Sequence, residues 1–524
     1  MTRSPASCRS AALRLWLALA IVIPGACTPS ASNQDEGSGD PATPPGASQA
    51  GALSELAIER PILVVLTDIG GDPDDMQSLR RLLLYANEFR IAGLIATASG
   101  IPGELDNAIT QPHLIEEIVD DYAAVYANLR GHDERYPHPD SLRALIVSGS
   151  AQRGVPHLGE GRSTPGSERI IAVTDAASPA DPVRVVIWGG VHDLAQALFD
   201  VRAARDSVAA ATFLSKLRVY AIADQDAFSG EPGTGEWILE NFPSLFYVET
   251  GPPGMDRFSA LFRGMYQNDS RVGDGPALPL VDDSVAPLVL EDWVEENVRT
   301  GHGPLGAGYP VTAQNPGTPR NGRGVKEGDT PSWFYFLPNG LSDPEHPTYG
   351  GWGGRFQHRV GGRFVDAEDA HPSGTTDVAV RRKWTVARWR QAYQNDFAAR
   401  MDRAVRPVDE VNHNPVGVID ADSSRRVIVR SVAPGGEVTL RAGGSYDPDG
   451  DPLDFRWWVY PDPSDYEGSV ELVGAEEAEV VVRVPEDAAG SEVHVILEVA
   501  DRGEPGLTGY RRVVLEVGEA EGRS

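Results

Sequence analysis

The chain has 524 residues, too many for one ordinary hydrophobic core, so two or more domains are expected. Its 41% hydrophobic content is that of a globular protein, which excludes a chain disordered throughout. A formal net charge of −30 argues against nucleic acid as a partner, because phosphate binding needs a basic surface.

Arg3, Arg9 and Arg14 precede an apolar run from Leu15 to Ile23. That run falls far short of a hydrocarbon core roughly 30 Å thick and reads as the h-region of a signal peptide. It ends in Pro24-Gly25-Ala26-Cys27, similar to a bacterial lipobox except for Pro24, where an aliphatic residue is usual. Lipidation at Cys27 is the expectation, with ordinary cleavage nearby as the alternative. The only other cysteine, Cys8, would leave with the leader, so neither an internal disulfide nor a thiolate metal site is expected. Residues 1–27 are thus read as a lipoprotein-type signal peptide and 28–58 as a flexible linker of Ser, Pro, Gly, Ala, Asn and acids. The predicted address is the bacterial cell envelope, periplasmic or outer membrane, with membrane contact only through the lipid anchor.

The stretch from Ile62 to Met76 reads as strand, tight Gly70-Gly71 loop and helix start, with Asp68, Asp72, Asp74 and Asp75 gathered at the strand's end. Asp72-Pro73-Asp74-Asp75 is also a good helix opening, with Asp as N-cap, Pro at the first position and acids facing the dipole. That bland reading leaves Asp68 unexplained and four carboxylates crowded. Crowding of this kind is relieved by proton sharing, by solvent or by a hard cation with oxygen ligands.

From residue 62 to about 395, strands alternate with helices. Strands are expected at 91–97, 183–188 and 217–222, with helices at 109–129, through Leu194, Ala197 and Leu198, and at 381–403. This pattern predicts a doubly wound, mostly parallel α/β sheet over 59–405. Asp224 and Asp226 lie just beyond the 217–222 strand, the position Asp68 has after the first. Between Gly251 and Gly362 the chain is rich in Gly, Pro and aromatics, as long binding loops are, and its rings could stack on sugars or simply pack. Beyond Asn412 short alternating strands at 437–441, 453–460, 479–484, 493–499 and 511–517 predict an all-β sandwich over 412–520. Asp447, Asp449 and Asp451 there could hold Ca²⁺, but Asp-Pro and Asp-Gly turn chemistry is the simpler reading.

The Asp68–Asp75 loop, the 93–100 strand and the segment Trp188-Gly189-Gly190-Val191-His192-Asp193-Leu194-Ala195 resemble the nucleoside hydrolases. The resemblance implies a bound Ca²⁺ that orients water and sugar hydroxyls, with Mg²⁺ left open. Asp68 falls on the first Asp of that family's signature and Asp74 and Asp75 on its final pair. Gly70 stands where the family keeps its base, and Asp72 is offset by two. Either Asp68 or Asp72 takes the role, or nucleoside chemistry is lost. His192 falls on the residue whose carbonyl ligates the ion, and Asp329 is the candidate for the late Asp that completes the shell, or else a plain N-cap.

Asp224-Gln225-Asp226, His302-Gly303-Pro304-Leu305-Gly306, Gly328-Asp329-Thr330-Pro331-Ser332 and Trp352-Gly353-Gly354-Arg355 look like a secreted bacterial family labelled cellulose-binding. That family joins a nucleoside-hydrolase-like domain to a C-terminal immunoglobulin-like domain. The expected function is hydrolysis of N- or O-glycosidic bonds in a carbohydrate substrate, with Asp68, Asp72 and Asp74 as catalytic carboxylates. Asp68, Asp75, His192 and Asp329 would hold the metal, and Asp224, Asp226, His302, Trp352 and Arg355 the substrate. The alternatives are a non-catalytic carbohydrate-binding protein and a periplasmic nucleoside hydrolase.

Overall fold

The computed structural model describes residues 60–98, 109–229, 232–266, 286–311 and 324–519. The expected leader, Cys27 and the whole of the 28–58 linker region lie outside the described residues, as does Gly100.

Eight strands form the first sheet: β1 (Ile62–Thr67), β2 (Arg90–Ala96), β3 (Ile146–Ser148), β4 (Val183–Ile187), β5 (Leu217–Ile222), β6 (Tyr247–Thr250), β7 (Phe356–Val360) and β8 (Arg363–Asp366). Their order is β3-β2-β1-β4-β5-β6-β8-β7, and every neighbouring pair is parallel except the β7–β8 hairpin. β1 and β4 read as unbroken apolar runs because both faces are covered. Leu63 and Val65 of β1 enter one hydrophobic core and Val64 and Leu66 the other. The chain builds outward from β1 through β2 to β3, then restarts at β4 and builds the other way. The C-terminal ends of β1 and β4 therefore flank a topological switch point, where open α/β sheets bind ligands.

Helix α1 (Pro73–Leu84) starts as the sequence predicts, with Asp72 at the N-cap position and Pro73 first. Helix α2 (Pro112–His132) is shifted by three residues from the expected 109–129. The single helix expected over 381–403 is two, Val378–Ala387 and Arg390–Arg403. The break falls where buried Trp389 meets Trp458, Tyr460 and Tyr510, each at 5.8 Å between ring centroids.

The C-terminal region is all β. One sheet has the order β10-β13-β12 and the other β11-β14-β15-β9. The strands are β9 (Ile428–Val432), β10 (Glu437–Arg441), β11 (Leu453–Tyr460), β12 (Glu471–Val473), β13 (Glu479–Arg483), β14 (Glu492–Asp501) and β15 (Thr508–Val517). They enclose their own core, including Trp457, Val482, Leu497 and Leu515. The Asp447 carboxylate accepts the Asp449 and Asp451 backbone N–H groups at 2.8 and 3.1 Å, and Asp449 accepts the His413 N–H at 2.6 Å. The Asp447 carboxylate thus makes the bonds of an Asx turn.

A buried charge network ties the two regions together. Asp369 accepts hydrogen bonds from Arg355 Nε at 2.6 Å, Arg388 Nη1 at 2.7 Å and the Tyr460 hydroxyl at 2.5 Å. Burial alone would raise its pKa, but the two guanidiniums outweigh that and hold it below the usual carboxylate range. Asp369→Ala removes the carboxylate that half-buried Arg355 and Arg388 share, leaving Arg388 with Asp462 alone. It is expected to destabilise the fold by about 3–5 kcal/mol in urea unfolding. A loss within about 0.5 kcal/mol, the range of surface changes, would contradict that role.

Candidate metal centre

β1 delivers Asp68 into the gap beside the end of β4. A Cβ on Gly189 would lie 2.6 Å from the Asp68 side chain, so only glycine lets the two strand ends close around it. The Gly71 N–H closes the turn on the Asp68 carbonyl at 3.3 Å. The Thr67 hydroxyl accepts the Ile69 N–H at 3.2 Å and donates to Asp75 Oδ1.

Asp75 is 3% exposed and Asp329 2%. Burial pushes the Asp75 pKa well up, the charges of Asp68 and Asp329 push it further, and a carboxyl–carboxylate hydrogen bond links it to Asp68. Asp74, Asp75 and Asp329 each bring one oxygen within 4.8 Å of the others. Asp329 sits at the N-cap position of a helix, Thr330–Phe334, but its side chain makes no capping bond. The Asp329 carbonyl accepts from Ser332 Oγ at 2.6 Å, and that hydroxyl accepts from Trp188 Nε1 at 2.8 Å. This relay locks the helix to the end of β4. An all-oxygen set of crowded carboxylates fits a hard divalent cation.

Asp72 departs from the cap reading too. Its side chain makes no capping bond and pairs with Lys326 Nζ. Burial lowers the Lys326 pKa to about 8 against the opposing pull of Asp329 and Asp68. The Tyr266 hydroxyl donates to Asp74 Oδ2 at 3.4 Å. Lys326, Thr67, Tyr266 and Ser332 were not read from sequence as site residues. Thr67, Lys326 and Ser332 carried a hint, by standing near Asp68 or Asp329 in the chain, and Tyr266 carried none.

The side chains of the remaining candidates have partners of their own. His192 is a candidate through its backbone carbonyl, not its imidazole, which lies near Asp193 and His157 and whose pKa burial lowers. Asp224 is 1% and Asp226 0% exposed, beneath the strand ends. The Asp224 carboxylate accepts the Glu236 N–H at 3.2 Å, and Asp226 accepts the Thr234 hydroxyl and the Val191 N–H. Both brace loops around the strand ends. Burial raises Asp224 to about 6, and burial with the Asp224 charge raises Asp226 to about 8. His302 Nε2 lies 3.3 Å from Asp402. Trp352 is 3% exposed and packs on Phe334, Tyr393 and Tyr510, so it is no open stacking platform. Arg355 belongs to the Asp369 network. The described parts of the 251–362 stretch form short helical turns such as Leu261–Met265 and Gly303–Ala307, and Tyr349 and Trp352 pack on His494 and Tyr510 of the all-β region.

An eight-stranded, mostly parallel sheet with acids at its switch point, followed by an all-β region, defines a nucleoside-hydrolase-like α/β protein. A family model described as "Cellulose-binding Sde182, nucleoside hydrolase-like domain" matches residues 62–356, and "Cellulose-binding protein Sde0182, C-terminal domain" matches 437–517. The chain belongs to this family. A solved structure of a nucleoside hydrolase-related hypothetical protein from Saccharophagus degradans, described as associated with carbohydrate metabolism, is 32% identical. The match covers 87% of this chain and 100% of that one, at a TM-score of 0.69. A PKD domain from the KIAA 1837 protein matches at 20% identity over 21% of this chain and 92% of its own, at a TM-score of 0.16. No curated protein matches the chain.

Gly70 has φ +100°, and a Cβ there would overlap the Gln111 side chain. Gly70→Asp is therefore expected to cost about 1–3 kcal/mol in thermal or urea unfolding without conferring nucleoside hydrolysis. A stable variant that releases ribose from nucleosides would contradict this.

Asp366 and Asp224 are raised to about 6, Glu249 to about 7 and Asp226 to about 8, all first by burial. Between about pH 4 and these values the folded state binds more protons than the unfolded one. The contribution of these groups is full below about pH 4 and is lost as pH rises through 6 to 8. Melting temperatures in EDTA should accordingly fall from pH 5 to 8, with Asp226→Asn flattening the upper part. A rising profile that this variant leaves unchanged would refute the assignment.

Proposed function

We propose that the chain is an exported, lipid-anchored hydrolase of N- or O-glycosidic bonds in a carbohydrate substrate. The observation that carries this reading is the set of Asp74, Asp75 and Asp329 oxygens within 4.8 Å at the sheet's switch point, beside Asp68. The family's cellulose-binding label and the carbohydrate association of the Saccharophagus degradans relative support a sugar substrate. A divalent cation, Ca²⁺ or Mg²⁺, held by Asp74, Asp75 and Asp329 would supply the positive charge that fixes sugar hydroxyls and a water.

The chain's own groups divide the remaining work. Asp68 is held against Gly189 and hydrogen-bonded to Asp75, which suits a carboxylate that takes a proton from the attacking water. Asp72 is fixed by Lys326 at the rim of the cluster, where the pair would orient a polar substrate. Asp74, steadied by Tyr266, remains a second candidate base.

A non-catalytic carbohydrate-binding role is the second reading. Gly70 favours it, because neither its backbone nor the space beside it admits the Asp that nucleoside hydrolases use as base. The same observation weighs against a nucleoside substrate.

The test is the Asp75→Asn, Asp329→Asn double variant against the wild type. Bound Ca²⁺ after dialysis would be measured by atomic emission, and turnover on glycan and nucleoside panels by sugar release. The wild type should retain metal and cleave a glycan, and the variant should lose both, turnover falling at least about 100-fold. A wild type that binds glycan and never cleaves it establishes the second reading instead.

A further inference from the structure

Beyond the hydrolase reading, a second site is indicated at the far end of α1. Tyr85, Asn87 and Glu88 follow that 12-residue helix, about 18 Å from its acidic first turn at 1.5 Å per residue. There a cavity of about 240 Å³ lies between the α/β region and the sandwich.

The charge of this cavity runs against that of the protein. Five arginines line it, Arg135, Arg400, Arg403, Arg425 and Arg511. Three lining carboxylates oppose them, Glu88, Asp133 and Asp396, and Asp422 pairs with Arg511 at 3.4 Å, leaving one positive charge in excess in a chain of net charge −30. Burial alone would raise all three acids, but their arginine and amide partners outweigh it and hold each below the usual range. They are therefore ionised at neutral pH and the count stands.

The excess is concentrated on Arg403. Its guanidinium donates to the Asn412 carbonyl at 3.1 and 2.7 Å and to Asn414 Oδ1 at 3.1 Å, all neutral oxygens. Asp396 attracts it but is already bound by Arg400 Nε at 3.0 Å, by Asn414 Nδ2 at 2.7 Å and by the Tyr85 hydroxyl. Arg403 is 6% exposed, and burial with the neighbouring Arg400 lowers its pKa. A buried cation matched only by neutral oxygens is costly, and an anion relieves it.

Two imidazoles also line the cavity. His132 Nδ1 is 2.9 Å from His413 Nε2, and the outer nitrogens meet acceptors, the Arg406 carbonyl and the Asp449 carboxylate, each at 2.9 Å. Burial lowers the His132 pKa.

We propose that this cavity binds a small oxyanion, the carboxylate or phosphate of a sugar-sized molecule, with Arg403 as the anchoring charge. At about 240 Å³ it is below the 300–1,000 Å³ of pockets for drug-sized ligands, which selects a single small unit over a polymer.

The test is calorimetric titration of the full chain with galacturonate, inorganic phosphate and neutral galactose. At least one of the two anions should bind, about tenfold more tightly than galactose, and weaken as salt is raised. The anion that binds better identifies the group the site takes. Arg403→Gln should abolish binding. If that variant fails to fold, the exposed-rim Arg425→Gln and His132→Gln should each weaken binding several-fold with the circular dichroism spectrum unchanged. Asp75→Asn, in the acid cluster, should leave anion binding intact, which separates failure of this site from failure of the hydrolase reading. Absence of binding by both anions, equal binding of galactose, or wild-type affinity in both rim variants would overturn the proposal.

Discussion

Asp75 sits almost fully buried against Asp68 and Asp329, and the three carboxyls cannot all ionise there without a counter-charge. Two unit charges about 4 Å apart repel by roughly 4 kcal/mol at an effective dielectric near 20. The chain relieves that repulsion with the Thr67 hydroxyl and the nearby Lys326 ammonium, while burial and the Asp68 and Asp329 charges push the Asp75 carboxyl well up. Much of the local architecture serves the same cluster. Gly189 makes room for Asp68, and the Trp188–Ser332 bond holds the Asp329 helix against the end of β4. Asp226 takes the Val191 N–H just beyond Gly190. A site maintained at this electrostatic cost, at the point where the sheet reverses its winding, is more economically read as built for a cation than as a helix start.

The sandwich is bound into the same architecture. Trp389 meets three of its rings, and Asp369 gathers arginines from one region and a tyrosine from the other. The aromatic residues that a sequence reader would set aside for sugar stacking are used here as mortar. At the rim of the acid cluster Asp72 pairs with Lys326 and Asp74 accepts from Tyr266. At the other end of α1 the seam leaves Arg403 on neutral oxygens, with Asp396 already bound by Arg400.

Sequence patterns carried the architecture well where burial was symmetrical or alternation clean. β1 and β4 were legible because strands covered on both faces read as apolar runs, and β10 and β11 because their side chains alternate between core and solvent. The strands β3, β6, β7, β8, β9 and β12 escaped notice, being three to five residues long. In the site, the acids were visible as a cluster around a strand end. Their partners were not, because Lys326 meets Asp72 across 254 residues of chain. The fate of Trp352 was equally hidden, since it is settled by Tyr510 in the last strand.

The central claim is that Asp74, Asp75 and Asp329 form a divalent-cation site. Anomalous diffraction from crystals grown with Ca²⁺ replaced by Tb³⁺ tests it directly. The account predicts one strong peak bounded by oxygens of these three residues. A peak confined to other acids, or none at this cluster while its carboxylates remain hydrogen-bonded to one another, would contradict it.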